Sequence, residues 1–475
     1  TYSMGQQTAT VVRSLHALNR QRLNGRLKKR GVKNGAIVLL QGGKSIMRHN
    51  TDHEPLFRQE SYFHWTFGVC EPDYYGAIDV DNNTSILFCP KLPAEYAVWM
   101  GEILSTEQIK NKYDVDEVHY TEEIKQVLQA KKPSTLLLLK GKNTDSGLHT
   151  IEADFDGIDS FETDRTSLHP EISECRVTKS HQELDIMRYV NGISSQGHIQ
   201  LMRSVRPGMK EYELESIFLN HCYSRGGCRY VAYSGIVASG SNSAVLHYGH
   251  AAVPNNKTID DGDLCLVDMG AEYYCYTSDI TCTFPSNGKF TEDQKIIYNA
   301  ALKANNAVEA AMKPGVQWTD MHRLAERCIL EHLKEHDIVR GNLNDMIAAH
   351  VGAIFMPHGL GHFLGIDTHD VGGYPGDTKR IDEPGIRNLR ANRELQEGMV
   401  ITVEPGCYLI NILLDKALND PNQAQFLNKD RVEQLRNIGG VRIEDNVYVT
   451  ATGVEVLTKV PRTVEEIEAV MAGKD

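Results

Sequence analysis

Residues 1–150 alternate helix-period segments with short unbroken apolar runs. Val11, Val12, Leu15, Leu18, Leu23 and Leu27 recur at a roughly helical spacing and predict a helix near the start of the chain. Residues 36–40 form a short apolar run closed by Gly42-Gly43, which reads as a buried strand. Residues 77–80 and 85–88 flank Asp81-Asn82-Asn83-Thr84, a polar turn between two apolar runs and therefore a hairpin. Residues 122–128 read as a helix, and residues 135–139, introduced by Pro133, as another strand. Alternation of this kind builds a layered α/β domain, because each helix buries its apolar stripe on a sheet face.

Between Thr166 and Thr178 the pattern breaks. Ser180-x-x-Glu183 then makes a capping box at the head of a long helix. The boundary is expected near residue 165, with an N-terminal α/β domain over 1–165 and a second domain over 166–475. The second domain carries an internal repeat. Arg206-Pro207-Gly208-Met209-Lys210-Glu211-Tyr212-Glu213-Leu214 matches Lys313-Pro314-Gly315-Val316-Gln317-Trp318-Thr319-Asp320-Met321 in residue type. A helical pattern precedes and follows each copy, which predicts two pseudo-symmetric α+β halves.

Acidic residues close several apolar strands of this domain. Leu264-Cys265-Leu266-Val267-Asp268-Met269-Gly270 is a strand with a carboxylate near its end, and the chain returns through residues 274–284 with Asp279 inside. A hairpin of that length brings Asp268 and Asp279 side by side across the ladder. Carboxylates on apolar strands are costly unless a cation or partner neutralises them. Met399-Val400-Ile401-Thr402-Val403-Glu404 ends against Pro405-Gly406. Residues 439–447 alternate, with Val441, Ile443, Asp445 and Val447 on one face and Arg442 and Glu444 on the other. A solvated second face would make those two ordinary surface charges; Glu404, ending a similar strand, argues against it.

His358-Gly359-Leu360-Gly361-His362 has the histidine spacing of a zinc-protease helix. It lacks the Glu after the first His, and two glycines oppose a helix. Glycines 359, 361 and 365 also miss the dinucleotide fingerprint by one residue. What remains is a loop presenting one or two imidazoles. Asp, Asp, His, Glu and Glu form an oxygen-rich set suited to manganese, cobalt or another divalent ion. The set exceeds what one tetrahedral zinc takes and fits two metals sharing carboxylates, an arrangement that points to hydrolysis.

Composition removes other classes. A net charge of −13 disfavours binding to a phosphate backbone, so no nucleic-acid partner is expected. No apolar run approaches the ~18 residues of a membrane span, so no membrane partner is expected either. The ten cysteines form no C-x-x-C pair and read as reduced thiols, among them Cys265, Cys275 and Cys282 in apolar runs. Thr1 to Gly5 is short and polar, with no leader-like pattern, and a cytoplasmic location is expected.

In its motif runs the chain resembles the pita-bread metallopeptidases, and within them the eukaryotic-type branch acting on dipeptides that end in proline. The runs are Leu266-Val267-Asp268-Met269-Gly270, Ser278-Asp279-Ile280-Thr281, His358 to Gly365, Val403-Glu404-Pro405-Gly406 and Val441-Arg442-Ile443-Glu444-Asp445. Phe57-Arg58-Gln59-Glu60-Ser61 and His247-Tyr248-Gly249-His250 extend the likeness over nearly the whole chain. The resemblance implies an α/β N-terminal domain, serving dimerisation and forming a wall of the cleft, followed by an α+β pita-bread catalytic domain. It implies two Mn(II) ions per subunit, with Co(II) or another divalent ion as the alternative. Asp268 would hold one metal, His362 and Glu404 the other, and Asp279 and Glu444 would bridge. Glu404 would also shuttle the proton of the attacking water. His247 and His369 would hydrogen-bond the substrate, and Arg390 would meet the carboxylate of a C-terminal proline.

The implied activity is hydrolysis of the Xaa-Pro or Xaa-hydroxyproline bond of dipeptides by a homodimer, with a role in proline recycling and collagen peptide breakdown. The alternatives are an aminopeptidase of the same fold acting on longer Xaa-Pro peptides, and a non-catalytic binding module. Trp99 would reach a neighbouring subunit's cleft; a buried core Trp is the other reading. Cys407 stands where an aliphatic residue is expected after Glu404-Pro405-Gly406.

Overall fold

The computed structural model describes residues 1–250 and 254–474 and divides the chain into two units, Thr1–Met4 with Ala9–Val177, and Gly5–Thr8 with Thr178–Asp475. In the first unit, helix α1 (Ser14–Arg30) buries Leu15, Leu23 and Leu27 and stops at Gly31, whose φ of 82° suits a residue without Cβ. Val12 and Leu18, counted into the apolar stripe from their spacing, lie on the exposed side.

Six strands follow: β1 (Ala36–Gln41), β2 (Tyr75–Asp79), β3 (Thr84–Cys89), β4 (Glu117–Tyr120), β5 (Thr135–Leu138) and β6 (Thr163–Asp164), in the sheet order β4-β3-β2-β1-β5-β6. The β2–β3 pair is the expected hairpin. Its turn is closed by the Asp79 carboxylate, which accepts from the amides of Asp81 and Asn82. Helix α2 (Leu168–Val177) lies beyond the boundary expected near 165 yet belongs to this unit, tied to α1 by Arg26 and Arg30, which both pair with Glu171.

In the second unit the capping box is present: Ser180 Oγ accepts from the Glu183 amide and the Glu183 carboxylate accepts from the Ser180 amide, opening α3 (His181–Ser204). Helix α4 (Glu211–Gly226) and the strands β7 (Ile236–Ser239), β8 (Leu264–Met269) and β9 (Ile280–Pro285) complete the first half, the strands in the order β9-β8-β7. The second half has α5 (Glu292–Ala311) and α6 (Trp318–Glu335), then β10 (Val400–Val403), β11 (Gly406–Tyr408), β12 (Gly440–Arg442), β13 (Asp445–Val449) and β14 (Val454–Val456). Strands β10, β13 and β14 make its three-stranded sheet, and β11 pairs with β12.

The repeat read from the sequence is a repeat of backbone geometry. Gly208 has φ 96° and donates to the Ile259 carbonyl; Gly315 has φ 93° and donates to the Leu395 carbonyl. The bonds return in the same register, from Ile259 to Met209 and from Leu395 to Val316. A left-handed glycine at each point lets the chain turn out of one helix and enter the next.

Every residue of β8, β9 and β10 is buried, so any polar side chain on them must find its partner inside the protein. The β8–β9 register sets Asp268 opposite Thr281 and Met269 opposite Ile280. Asp279 therefore precedes β9 and lies diagonal to Asp268, not directly across as the hairpin length suggested. The run 439–447 is not one strand. It pairs with β11 as β12, is interrupted at Ile443-Glu444, and resumes as β13 beside β10.

Candidate active site

The interruption at Ile443-Glu444 places Glu444 against β9, where its amide donates to the Thr281 carbonyl and Thr281 Oγ1 donates to Glu444 Oε2 at 2.7 Å. The other oxygen, Oε1, is buried without a hydrogen-bond partner. Asp268 accepts from the Tyr233 hydroxyl at 2.6 Å and from Arg442 at 2.8 Å.

His362 arrives on the glycine loop. Its amide donates to Thr402 Oγ1, its carbonyl accepts from the Thr402 amide, and the Thr402 hydroxyl donates to Glu404 Oε1 at 3.1 Å. The glycines make this approach possible: a Cβ on Gly361 would lie 1.9 Å from the Thr402 carbonyl oxygen, and one on Gly359 2.6 Å from the Leu389 Cα. His362 Nδ1 sits 2.9 Å from the Phe363 carbonyl, which makes Nδ1 the donor and turns Nε2 towards the carboxylates. Nε2 is 3.2 Å from Asp279 Oδ2 and 3.3 Å from Glu404 Oε1. One ligand atom each from Asp279, His362 and Glu444 lie within 4.8 Å of one another, and Asp268 and Glu404 flank them.

Crowding sets the electrostatics. Burial, with Asp279 nearby, pushes Asp268 up to about 6 despite Arg442. Burial likewise raises Glu404 to about 7, and pushes Glu444 well above the usual carboxylate range with Asp279 adding to it. Burial also works against ionisation of Asp279, but the His362 hydrogen bond and charge bring it down to about 2. His362 loses by burial and gains more from Asp279 and Glu404, reaching about 9. Three carboxylates resist ionisation because the centre is short of positive charge. A divalent cation supplies it, and the unpartnered Glu444 Oε1 is a ready ligand atom, so these residues fit a metal.

The three residues expected to meet substrate are joined electrostatically. The His369 ring lies 4.5 Å from His362, edge to face, and burial followed by the charges of His362 and Arg390 holds it down to about 2. His247 is kept below its ordinary value by desolvation, then by His250, Arg442 and Arg390. Both rings are therefore neutral at neutral pH and able to donate one hydrogen bond and accept another.

Sequence reasoning passed over the supports of this centre. Arg442 is 4% exposed, and besides Asp268 it bonds the Tyr408 hydroxyl at 3.0 Å, which in turn meets His358 Nε2 at 2.8 Å. Thr281, Thr402 and Tyr233 carry no signal of their own. Arg442 did carry one: it shares a strand face with Glu444, which is 1% exposed. His358 turns to Tyr408 and not to the carboxylates. Cys407 is fully buried, and burial pushes its thiol up to about 12. Trp99 is 83% exposed beside Val98 and Met100, so it is not a core tryptophan.

The profile of metallopeptidase family M24 matches residues 185–451, and that of the aminopeptidase P N-terminal domain matches residues 16–137. The chain is 60% identical to the Xaa-Pro dipeptidase of Homo sapiens, over 100% of this chain and 97% of that one. It is 58% identical to the Xaa-Pro dipeptidase of Rattus norvegicus, with the same shares covered. The solved structure of aminopeptidase P from E. coli with the inhibitor Pro-Leu matches at a TM-score of 0.80 and 30% identity, over 98% of this chain and 99% of that one. A profile that spans more than half the chain, enclosing Asp268, Asp279, His362, Glu404 and Glu444, leaves one conclusion: this chain belongs to metallopeptidase family M24.

Proposed function

We propose that this chain hydrolyses the Xaa-Pro or Xaa-hydroxyproline bond of dipeptides ending in proline, with two divalent ions, manganese foremost, held at the buried acid cluster. The observation that carries the reading is the meeting of Asp279, His362 and Glu444 within 4.8 Å, with Glu444 Oε1 left unpartnered. The dipeptide specificity is supported by 60% identity to a human Xaa-Pro dipeptidase over 100% of this chain.

Asp268 would hold one ion, His362 and Glu404 the other, and Asp279 and Glu444 would be shared between them. Divalent ions held there would supply Lewis acidity to the scissile carbonyl and to the attacking water. Glu404, a carboxylate beside the attacking water, is placed to act as the general base. It takes the proton as water adds to the carbonyl carbon and delivers it to the prolyl nitrogen as the C–N bond breaks. Thr402 Oγ1, 3.1 Å from Glu404 Oε1, keeps that oxygen in place. His247 and His369 hydrogen-bond the peptide, and the planar guanidinium of Arg390 takes the terminal carboxylate. The reading extends to a cytoplasmic homodimer that returns proline from collagen-derived and other peptides.

An Xaa-Pro aminopeptidase is the second reading, favoured by the match to aminopeptidase P at a TM-score of 0.80. One product assay separates the two. Chelated protein should be inactive on Gly-Pro, recover with Mn(II) better than with Zn(II), and leave Ala-Pro-Xaa peptides intact. Release of Ala from such peptides at a comparable rate gives the aminopeptidase; full activity after exhaustive chelation overturns both.

A further inference from the structure

The last turn of α6 carries His332 and Glu335, and His336 follows directly as the helix cap. Positions i, i+3 and i+4 lie on one helix face, and one ligand atom from each of the three residues falls within 4.8 Å of the others. The two imidazole centroids are 4.6 Å apart, and His332 Nδ1 is 3.7 Å from Glu335 Oε2. Trp318, whose indole donates to the Gly361 carbonyl, begins the same helix. At the rise of an α-helix, His332 lies about 20 Å further along the axis, so this cluster is separate from the acid centre.

The decisive residue is His332. Its side chain is 4% exposed, and neither ring nitrogen makes a well-formed hydrogen bond, with the Ile296 backbone and the Glu335 carboxylate close to the ring. A histidine placed for packing alone satisfies its nitrogens with backbone or side-chain groups, since leaving them bare indoors is costly. Burial, then the charges of Lys303 and His336, holds His332 down at about 4, so at neutral pH the ring is uncharged with a lone pair to give. Glu335 and His336 are exposed and free to turn towards a common point. Besides its contact with His332, Glu335 pairs with Lys303 of α5 at 3.1 Å, and exposed ion pairs of this kind are weak enough to exchange for a metal bond.

We propose that His332, Glu335 and His336 form a second metal site, at the end of α6, for a borderline divalent ion such as Zn(II). Two imidazoles and one carboxylate suit zinc, and they leave a fourth position open to water. His332 and His336, four residues apart, also have the spacing by which zinc-binding helices bring two imidazoles to one metal. Oxygen-loving Mn(II), by contrast, has little to gain from a site with two nitrogen ligands.

The test is equilibrium dialysis of Zn(II) against the full manganese-loaded chain, comparing wild type with His336→Ala and Glu335→Gln. Both altered residues are exposed, so the variants are expected to fold. Whatever zinc the acid centre exchanges is common to all three proteins, and the difference isolates the helix site. Wild type should bind one more zinc per chain than His336→Ala, and Glu335→Gln should bind that extra zinc about tenfold or more weakly. Zinc should raise the melting temperature of wild type by more than that of His336→Ala. Equal zinc uptake by wild type and His336→Ala overturns the proposal, as does a wild type that takes no more zinc than its acid centre exchanges.

Discussion

Replacing Glu404 with Gln should weaken the enzyme and strengthen the metal-free fold at once. The carboxylate is pushed from 4.5 to about 7 because it is buried beside Asp279 and Asp268, with His362 only partly offsetting them. The sign follows from linkage. A carboxyl whose folded pKa is raised binds its proton more tightly in the native state, so stability is lost as pH rises from 4.5 towards 7 and the full penalty stands above 7. At about 1.4 kcal/mol for each tenfold change in proton affinity, that penalty is roughly 3 kcal/mol. Gln has the same shape, accepts from Thr402 Oγ1 as Glu does, and carries no charge to desolvate. Urea denaturation of the chelated chain should therefore show Glu404→Gln more stable than wild type by roughly 3 kcal/mol at pH 8, and equal to it near pH 4. Titrating groups outside the cluster cancel in the comparison, whereas His362 and Glu444, which feel the Glu404 charge, shift with it. Gln cannot accept a proton, so turnover of Gly-Pro by the metal-loaded variant should fall by about 10²–10⁴, or roughly 3–5 kcal/mol in the barrier. A variant no more stable than wild type at pH 8 refutes the burial argument. Near-normal turnover with both metals bound refutes the proton role.

Metal uptake at neutral pH should release protons, because His362, raised to about 9 in the metal-free chain, must lose one to bind. Apparent affinity should rise between pH 6 and 9, and a flat profile would remove His362 from the ligand set. Arg390→Ala should erase most of the preference for Gly-Pro over its amide, about one to two powers of ten in kcat/KM, with metal content unchanged; an unchanged acid-to-amide ratio takes Arg390 out of the site. Gly361→Ala should lower stability by about 1–3 kcal/mol or more, since its Cβ would lie 1.9 Å from the Thr402 carbonyl. Because the same backbone carries His362, its activity should fall further than its unfolding curve explains; a silent substitution would mean that the loop has room to spare.

Local chemistry made much of this protein legible from its sequence. The helical period found α1, the polar turn 81–84 found the β2–β3 hairpin, and Ser180 with Glu183 announced the start of α3. The paired Pro-Gly stops found the internal repeat, down to the matching left-handed glycines. These signals depend on neighbours within a few residues, where propensity, capping and periodicity act. Carboxylates at the ends of apolar strands were legible for a related reason: such residues are too costly to bury without a purpose.

Tertiary structure decided what those groups meet. Counting residues set Asp279 opposite Asp268, whereas the register of β8 and β9 sets it diagonal. Alternation ran one strand through 439–447, whereas pairing with two different partners breaks it at Ile443-Glu444 and turns Glu444 onto Thr281. Residues 168–177 read as a break in the pattern beyond the expected boundary, whereas they form α2, which packs with the first unit and pairs with α1 through Glu171. Arg442, whose face of the strand argued against simple solvation without naming a partner, is a buried partner of Asp268, and Trp99, open to a core reading, is 83% exposed. In each case the deciding neighbour lies far away in sequence, as Thr281 does from Glu444. Strand period and side-chain polarity state only that a residue needs a partner; the register of strands brought together by the fold selects which one it gets.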